Sequence, residues 1–185
     1  MSFSPQTGLV YIPALETPFV YGNDPAFKQS DVAWNVGTDS SFSSLPTDLA
    51  QFKAVRAAVK GQLLAWDPVA QKQAWSVDHA SPWNGGVLST AGGLVFQGNA
   101  NAKFVAYNAG TGERLWDHFA QTGIVAAPIS YSIDGEQYIA VASGWGGAFT
   151  LIYGGLFPAE SSPGVGRLLV FKLGGDAELP VVAER

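Results

Sequence analysis

Short apolar runs, each closed by Asp, Asn, Gly or Pro, recur along this chain. Leu63-Leu64-Ala65-Trp66 ends on Asp67-Pro68, and Phe104-Val105-Ala106-Tyr107 ends on Asn108-Ala109-Gly110-Thr111-Gly112. Runs of about 4–8 residues bounded by turn residues are strand-length and too short for helices. Each turn leads into another run carrying a tryptophan, Ala74-Trp75 in one case and Leu115-Trp116 in the other. The pattern predicts a hairpin whose second strand carries a core tryptophan. Ala65 and Ala106, Trp66 and Tyr107, Asp67 and Asn108, and Trp75 and Trp116 are all spaced by 41 residues. A third copy begins at Gly166-Arg167-Leu168-Leu169-Val170-Phe171-Lys172-Leu173 and stops before its second strand.

Two more strands precede each hairpin. Ser2–Ser4, Gly86–Ser89 and Ala126–Ser130 are the expected first strands, and Thr7–Ile12, Gly92–Gln97 and Asp134–Val141 the second. A four-stranded unit repeating at about 40 residues is the blade of a β-propeller. The expected fold class is therefore all-β: a partial β-propeller of three antiparallel blades near residues 1–78, 79–121 and 122–175, with 176–185 as a tail or the start of a linker. Two insertions break the period, at 14–60 and 148–165, each between the second and third strands of its unit. Within the first, Leu49 to Val59 predicts a short helix. A propeller ring takes about 4–8 blades. The expected partners are thus the remaining blades or another copy of this chain.

Composition supports an ordered β protein. Of 185 residues, 47% are hydrophobic and only 14% charged, which excludes a disordered chain. The 22 glycines and 12% aromatics suit turns and pleated surfaces. A net charge of −5 without a basic run argues against nucleic acid as a partner. No apolar stretch approaches the ~20 residues of a transmembrane helix, and the N-terminus has no signal-peptide pattern. With no cysteine, the chain has no disulfide, thiolate metal site or c-type haem attachment.

Two loops are candidates for chemistry. Trp83-Asn84, in Pro82-Trp83-Asn84-Gly85-Gly86, combines an indole face with an amide that both donates and accepts, beside a glycine pair that lets backbone approach a ligand. That suits a planar, oxygen-rich ring, and it equally suits a turn with a core tryptophan. Gly144-Trp145-Gly146-Gly147 follows a strand and reads as a second such loop or as a plain blade connection. Trp75 and Trp116, at a fixed repeat position, are structural. His79 and His118 each follow a repeat tryptophan by a few residues and are expected in blade-end turns. No carboxylate constellation, dinucleotide fingerprint or nucleophile elbow is present, and no catalytic residue is assigned.

The collinear set of these segments resembles the pyrroloquinoline-quinone (PQQ) dependent alcohol dehydrogenases. The Leu-Trp endings are similar to the tryptophan-docking repeat of that family. Met1 to Pro13 resembles the segment after the family's Asn-Trp pair that touches PQQ. The Ser81–Thr90 loop resembles the one that places a tryptophan and an amide near the quinone, and Asp134 to Gly147 resembles the last such loop. Gly166 to Leu173 followed by Leu179-Pro180 is similar to the end of the propeller in the quinohaemoprotein (type II) members. The resemblance implies that Trp83, Asn84, Gly144 and Trp145 contact PQQ. It implies a small alcohol as substrate, a cytochrome c as electron acceptor and a periplasmic location. It also implies that the catalytic Asp, the calcium ligands, the adjacent-cysteine pair and the haem motif lie outside this chain, because none has a match here. The alternative is a non-enzymatic propeller scaffold of the outer-membrane assembly kind, which shares tryptophan-bearing blades.

Overall fold

The computed structural model describes residues 1–18, 21–39, 41, 44–146 and 165–180. Eleven strands and one helix follow in chain order among them: β1 (Ser2–Ser4), β2 (Leu9–Glu16), α1 (Leu49–Ala58), β3 (Lys60–Asp67), β4 (Lys72–His79), β5 (Val87–Ser89), β6 (Leu94–Gly98), β7 (Lys103–Asn108), β8 (Arg114–Phe119), β9 (Ile129–Ile133), β10 (Glu136–Ser143) and β11 (Arg167–Lys172). They form three antiparallel sheets, β1-β2-β3-β4, β5-β6-β7-β8 and β9-β10-β11. The third sheet has three strands, as its truncated repeat requires. The insertion at 148–165 lies, apart from Val165, outside the described residues.

The 41-residue repeat reproduces its local structure in detail. Asp67 Oδ1 accepts from the N–H groups of Val69 and Ala70, and Asn108 Oδ1 from those of Gly110 and Thr111. Such short acceptor side chains close a turn on the backbone ahead of them. The register shifts at Ala65/Trp66 in one hairpin and at Ala106/Tyr107 in the other, the same repeat position. Positive φ also recurs, at Gln71 (52°) and Gly112 (75°).

The sheets stack face to face. Leu9, Tyr11, Leu63 and Ala65 of the first sheet share one core with Val87, Val95, Val105 and Tyr107 of the second. Phe104 on the second sheet's other side packs with Ile139, Val141 and Leu169 of the third. Hence β3 alternates buried and less buried positions while Phe104 to Tyr107 of β7 are buried without a break. A strand flanked on both faces reads as a continuous apolar run. The short first strands also meet: the Ser2 and Ser89 hydroxyls are 2.6 Å apart, and Ser89 N donates to Ser2 Oγ at 3.0 Å.

The two repeat tryptophans have different settings. The Trp75 indole lies on Gly112 of the next sheet, where an added Cβ would sit 2.6 Å from Cε3. Its Nε1 donates to Ala109 O at 3.1 Å, and the Tyr11 hydroxyl donates to the same carbonyl at 2.9 Å. Trp116 stays 41% exposed, against the edge of Phe171 and stacked beside His118. It lines a groove of about 700 Å³ between the second and third sheets.

Two other expectations need correction. The first strand of the third sheet is Ile129–Ile133, not Ala126–Ser130. Residues 126–127 instead cross the glycine pair of the neighbouring loop: a Cβ on Gly85 would meet Ala126 O at 2.7 Å, and one on Gly86 would meet Ala127 Cβ at 2.6 Å. Pro128 then has no N–H for a ladder. His79 and His118 are not in turns. His79 ends β4 opposite Gly61, whereas His118 lies inside β8 opposite Phe104. Trp-to-His spacings that differ by two residues leave them at different repeat positions.

Gly112→Ala is expected to cost about 2–3 kcal/mol, a positive-φ penalty plus overpacking against the indole. Gly93→Ala, also at positive φ but with open space around it, costs only about 1 kcal/mol. In a Trp75→Ala background the two glycine substitutions converge, and denaturant melts of the double variants read this coupling directly. Trp75→Ala itself costs about 3–5 kcal/mol; the exposed ring makes Trp116→Ala cheaper. Equal costs for the two tryptophans would refute this difference in setting.

His79 gives a pH dependence. Burial lowers its pKa below the ordinary 6.5, and the Gln97 hydrogen bond and the Asp78 charge oppose this without cancelling it. Glu16 from β2 and Lys60 from β3 are the other charged groups around the cavity it lines. The unfolded chain protonates this imidazole first. The neutral ring therefore stabilises the fold fully above pH 6.5, and that contribution is lost as pH falls through the lower folded value. Melts on both sides of this pH should show the loss, and His79→Gln should flatten it. An unchanged slope in His79→Gln removes His79 as its source.

Candidate functional site

Strand alternation decides where the loops go. The β2–β3, β6–β7 and β10–β11 connections and the β4–β5 and β8–β9 connections all leave the sheets at one end, and the short turns lie at the other. The described part of the first insertion and both candidate loops, Gly147 apart, therefore share one face. Backbone bonds stitch them together: Gly85 N donates to Gly98 O at 2.9 Å, Ile124 N to Asn99 O at 3.0 Å, and Gly144 N to Gly123 O at 2.8 Å.

This face brings the two expected indoles into one cluster. Trp83, from the first inter-sheet loop, and Trp145, from the β10–β11 connection, both pack against buried Val59 and Ala100. Phe52 of α1 packs there too. Asp48 caps that helix, its Oδ1 accepting from Gln51 N at 2.9 Å. The expected helix turns Phe52 toward the cluster, while its Leu49 and Val55 stay exposed. Gly123 makes room for the second indole, since a Cβ there would meet Trp145 Cζ2 at 2.6 Å.

Asn84 lies in the same loop as Trp83, with much of its amide committed to the protein. Nδ2 donates to Ser81 O at 2.8 Å, and Oδ1 accepts from Ala100 N at 3.4 Å. An amide has two N–H groups and two lone pairs, so one of each remains. Gly144 keeps a φ of 145° beside Trp145, and Gly147 lies outside the described residues. Trp75 and Trp116 are away from this cluster, on the sheet faces.

Sequence reasoning passed over Phe52, Val59, Ala100 and Gly123, which shape the cluster. The apolar residues of Leu49–Val59 were the one available signal. Nothing marked Gly123 apart from other loop glycines. Beside the cluster, a cavity of about 340 Å³ is lined by Glu16, Lys60, Gly61, Gln62, Asp78 and His79. Among the described residues no three His, Cys, Asp or Glu side chains gather as a metal site. No helix among them is long and apolar enough to cross a membrane.

An indole pair, an adjoining amide and loop backbone fit one side of a planar aromatic quinone, and comparison with known proteins agrees in family. The family model of the PQQ glucose/ethanol/alcohol dehydrogenase β-propeller domain matches residues 47–139. The quinohemoprotein alcohol dehydrogenase of Comamonas testosteroni is 47% identical over 195 residues, covering 100% of this chain and 26% of the relative. The 1-butanol dehydrogenase (cytochrome c) of Thauera butanivorans is 40% identical over 193 residues, covering 100% of this chain and 26% of its own length. The structure of quinohemoprotein alcohol dehydrogenase ADHIIG from Pseudomonas putida HK5 superposes with a TM-score of 0.90 at 41% identity, over 100% of this chain and 27% of that one. The chain thus spans about a quarter of the length of these relatives. It belongs to the PQQ glucose/ethanol/alcohol dehydrogenase β-propeller family.

Proposed function

We propose that this chain forms part of a PQQ-dependent alcohol dehydrogenase that oxidises primary or secondary alcohols to aldehydes or ketones, and that it supplies one wall of the PQQ pocket. The observation that carries this reading is the convergence of Trp83 and Trp145 on one small cluster from two different loops. Trp83 and Trp145 offer ring faces to the quinone, Asn84 its remaining N–H, and Gly144 close backbone approach. When bound, PQQ takes up the two electrons of the alcohol. Calcium needs several oxygen ligands, mostly carboxylate, and these belong to parts of the enzyme outside this chain, as does any haem c.

The rest of the reading follows the same family logic. Residues 1–78, 79–121 and 122–175 are three blades, with insertions at 14–60 and 148–165 and with 176–185 as a tail or the start of a linker. Trp75 and Trp116 dock blade to blade. The partners are the remaining blades or another copy of the chain, a small alcohol, and a cytochrome c acceptor. The site of action is the periplasm.

The 185-residue chain alone should show no dye-linked alcohol dehydrogenase activity when PQQ and calcium are added, because its described residues gather no metal site and the family resemblance puts the catalytic base, which must reach the alcohol, in another part of the enzyme. The assay is reduction of an artificial electron acceptor with ethanol as substrate. Turnover above a PQQ-only control would place the catalytic groups within this chain. In the intact quinoprotein, Trp83→Ala should weaken PQQ binding by about tenfold or more, as loss of a large aromatic contact does. Unchanged affinity would return the loop to a structural role and favour a scaffold.

A further inference from the structure

Gln97 is a carboxamide inside a sheet, 1% exposed, between Phe96 and Gly98 of β6. A buried amide needs partners for both ends. Its Nε2 donates to the carbonyl of Gly85 at 3.0 Å. A carbonyl only accepts, so this contact decides which end of the amide carries nitrogen. Oε1 then faces His79 Nε2 at 2.9 Å. An amide oxygen also only accepts, so His79 bears its proton on Nε2 and a lone pair on Nδ1.

The relay has a direction in the fold. It starts at the end of β4 in the first sheet, crosses to the second sheet at Gln97, and ends on the carbonyl of the Gly85–Gly86 peptide, just past Asn84. That peptide belongs to a glycine pair. Without side chains, Gly85 and Gly86 have many backbone conformations to lose, so bonds to the peptide groups have to select one. Gly85 is held at both: its N–H donates to Gly98 O, and its carbonyl receives Gln97.

We propose that His79 and Gln97 are positioning residues, which fix the Gly85 peptide and through it set the Trp83 indole in the quinone wall. The proposal rests on the reading of Trp83 as a PQQ contact. Neither side chain is among the proposed cofactor contacts. Their effect is on how well the wall is preorganised, so they govern PQQ affinity more than folding stability.

Two measurements on the intact quinoprotein test this. Long-range nitrogen–proton NMR correlation of the imidazole should show a neutral His79 with its proton on Nε2; a proton on Nδ1 would overturn the relay, and this needs no variant. PQQ binding to the apoenzyme, followed by tryptophan quenching, gives the second readout. His79→Phe and Gln97→Leu keep the shape and lose the relay, and should weaken PQQ binding about five- to tenfold, the scale of one lost hydrogen bond. His79→Gln returns an N–H donor to Gln97 and should stay within about twofold of the parent. If Gln97→Leu does not fold, His79→Phe carries the comparison. Parent-like PQQ affinity in His79→Phe, or equal loss in His79→Phe and His79→Gln, sinks the proposal. Trp83→Ala separates the two levels. If it weakens PQQ binding while His79→Phe does not, the relay alone fails; if neither does, the quinone reading of the loop fails with it.

Discussion

Strand β7 buries side chains on both faces, Val105 and Tyr107 toward the first sheet and Phe104 toward the third. Apolar surface returned to water costs about 25 cal/mol per Å², so the middle sheet needs both neighbours to keep its own core. Everything else follows from that stacking. Sheets held face to face, with the same strand sequence in each, carry their inter-sheet connections at the same end. Loops far apart in sequence are thereby brought to one end, where backbone hydrogen bonds join them. The Trp83 and Trp145 cluster is a consequence of sheet packing first and of loop sequence second.

The loops are then held by backbone and amide contacts more than by side-chain packing. Gly85 bonds Gly98, Ile124 bonds Asn99 and Gly144 bonds Gly123. Asn84 spends half of its capacity on Ser81 and Ala100. This division of labour suits the wall proposed for a flat ligand. The Asn84 amide and the loop backbone bond one another, and the indoles pack on Val59 and Ala100.

The repeat made much of the fold legible. Asp67 and Asn108 announce the turns, Trp75 and Trp116 the register, and Gly166–Leu173 the incomplete third unit. Ile129 as the start of β9 was not legible, because its boundary depends on where residues 126–127 meet Gly85 and Gly86 of another loop, a contact without local signature. The histidines misled for a similar reason. A shared tryptophan landmark suggested equivalence, while a spacing longer by two residues keeps the face but moves His79 to the end of its strand and leaves His118 within β8. At the site, Trp83 and Trp145 were legible as residue types in glycine-rich loops. Their meeting was not, since it takes the stacking of three sheets to bring them to Val59 and Ala100.

The contrast between Trp75 and Trp116 shows where the seating of a repeat tryptophan is encoded. The two residues have the same position in their repeats, and each follows a strand that pairs in the same register. What differs is the turn offered by the next sheet. The second sheet presents Asn108 to Gly112, with the Ala109 carbonyl as acceptor and a residue lacking Cβ under the ring. The third presents Lys172-Leu173-Gly174-Gly175, and no described strand follows to close it into a hairpin. Trp116 accordingly rests in an open groove with Phe171, Leu173 and Gly174 along its wall. The socket is a property of the receiving turn, so a complete hairpin in the following sheet is needed before the same tryptophan can seat fully.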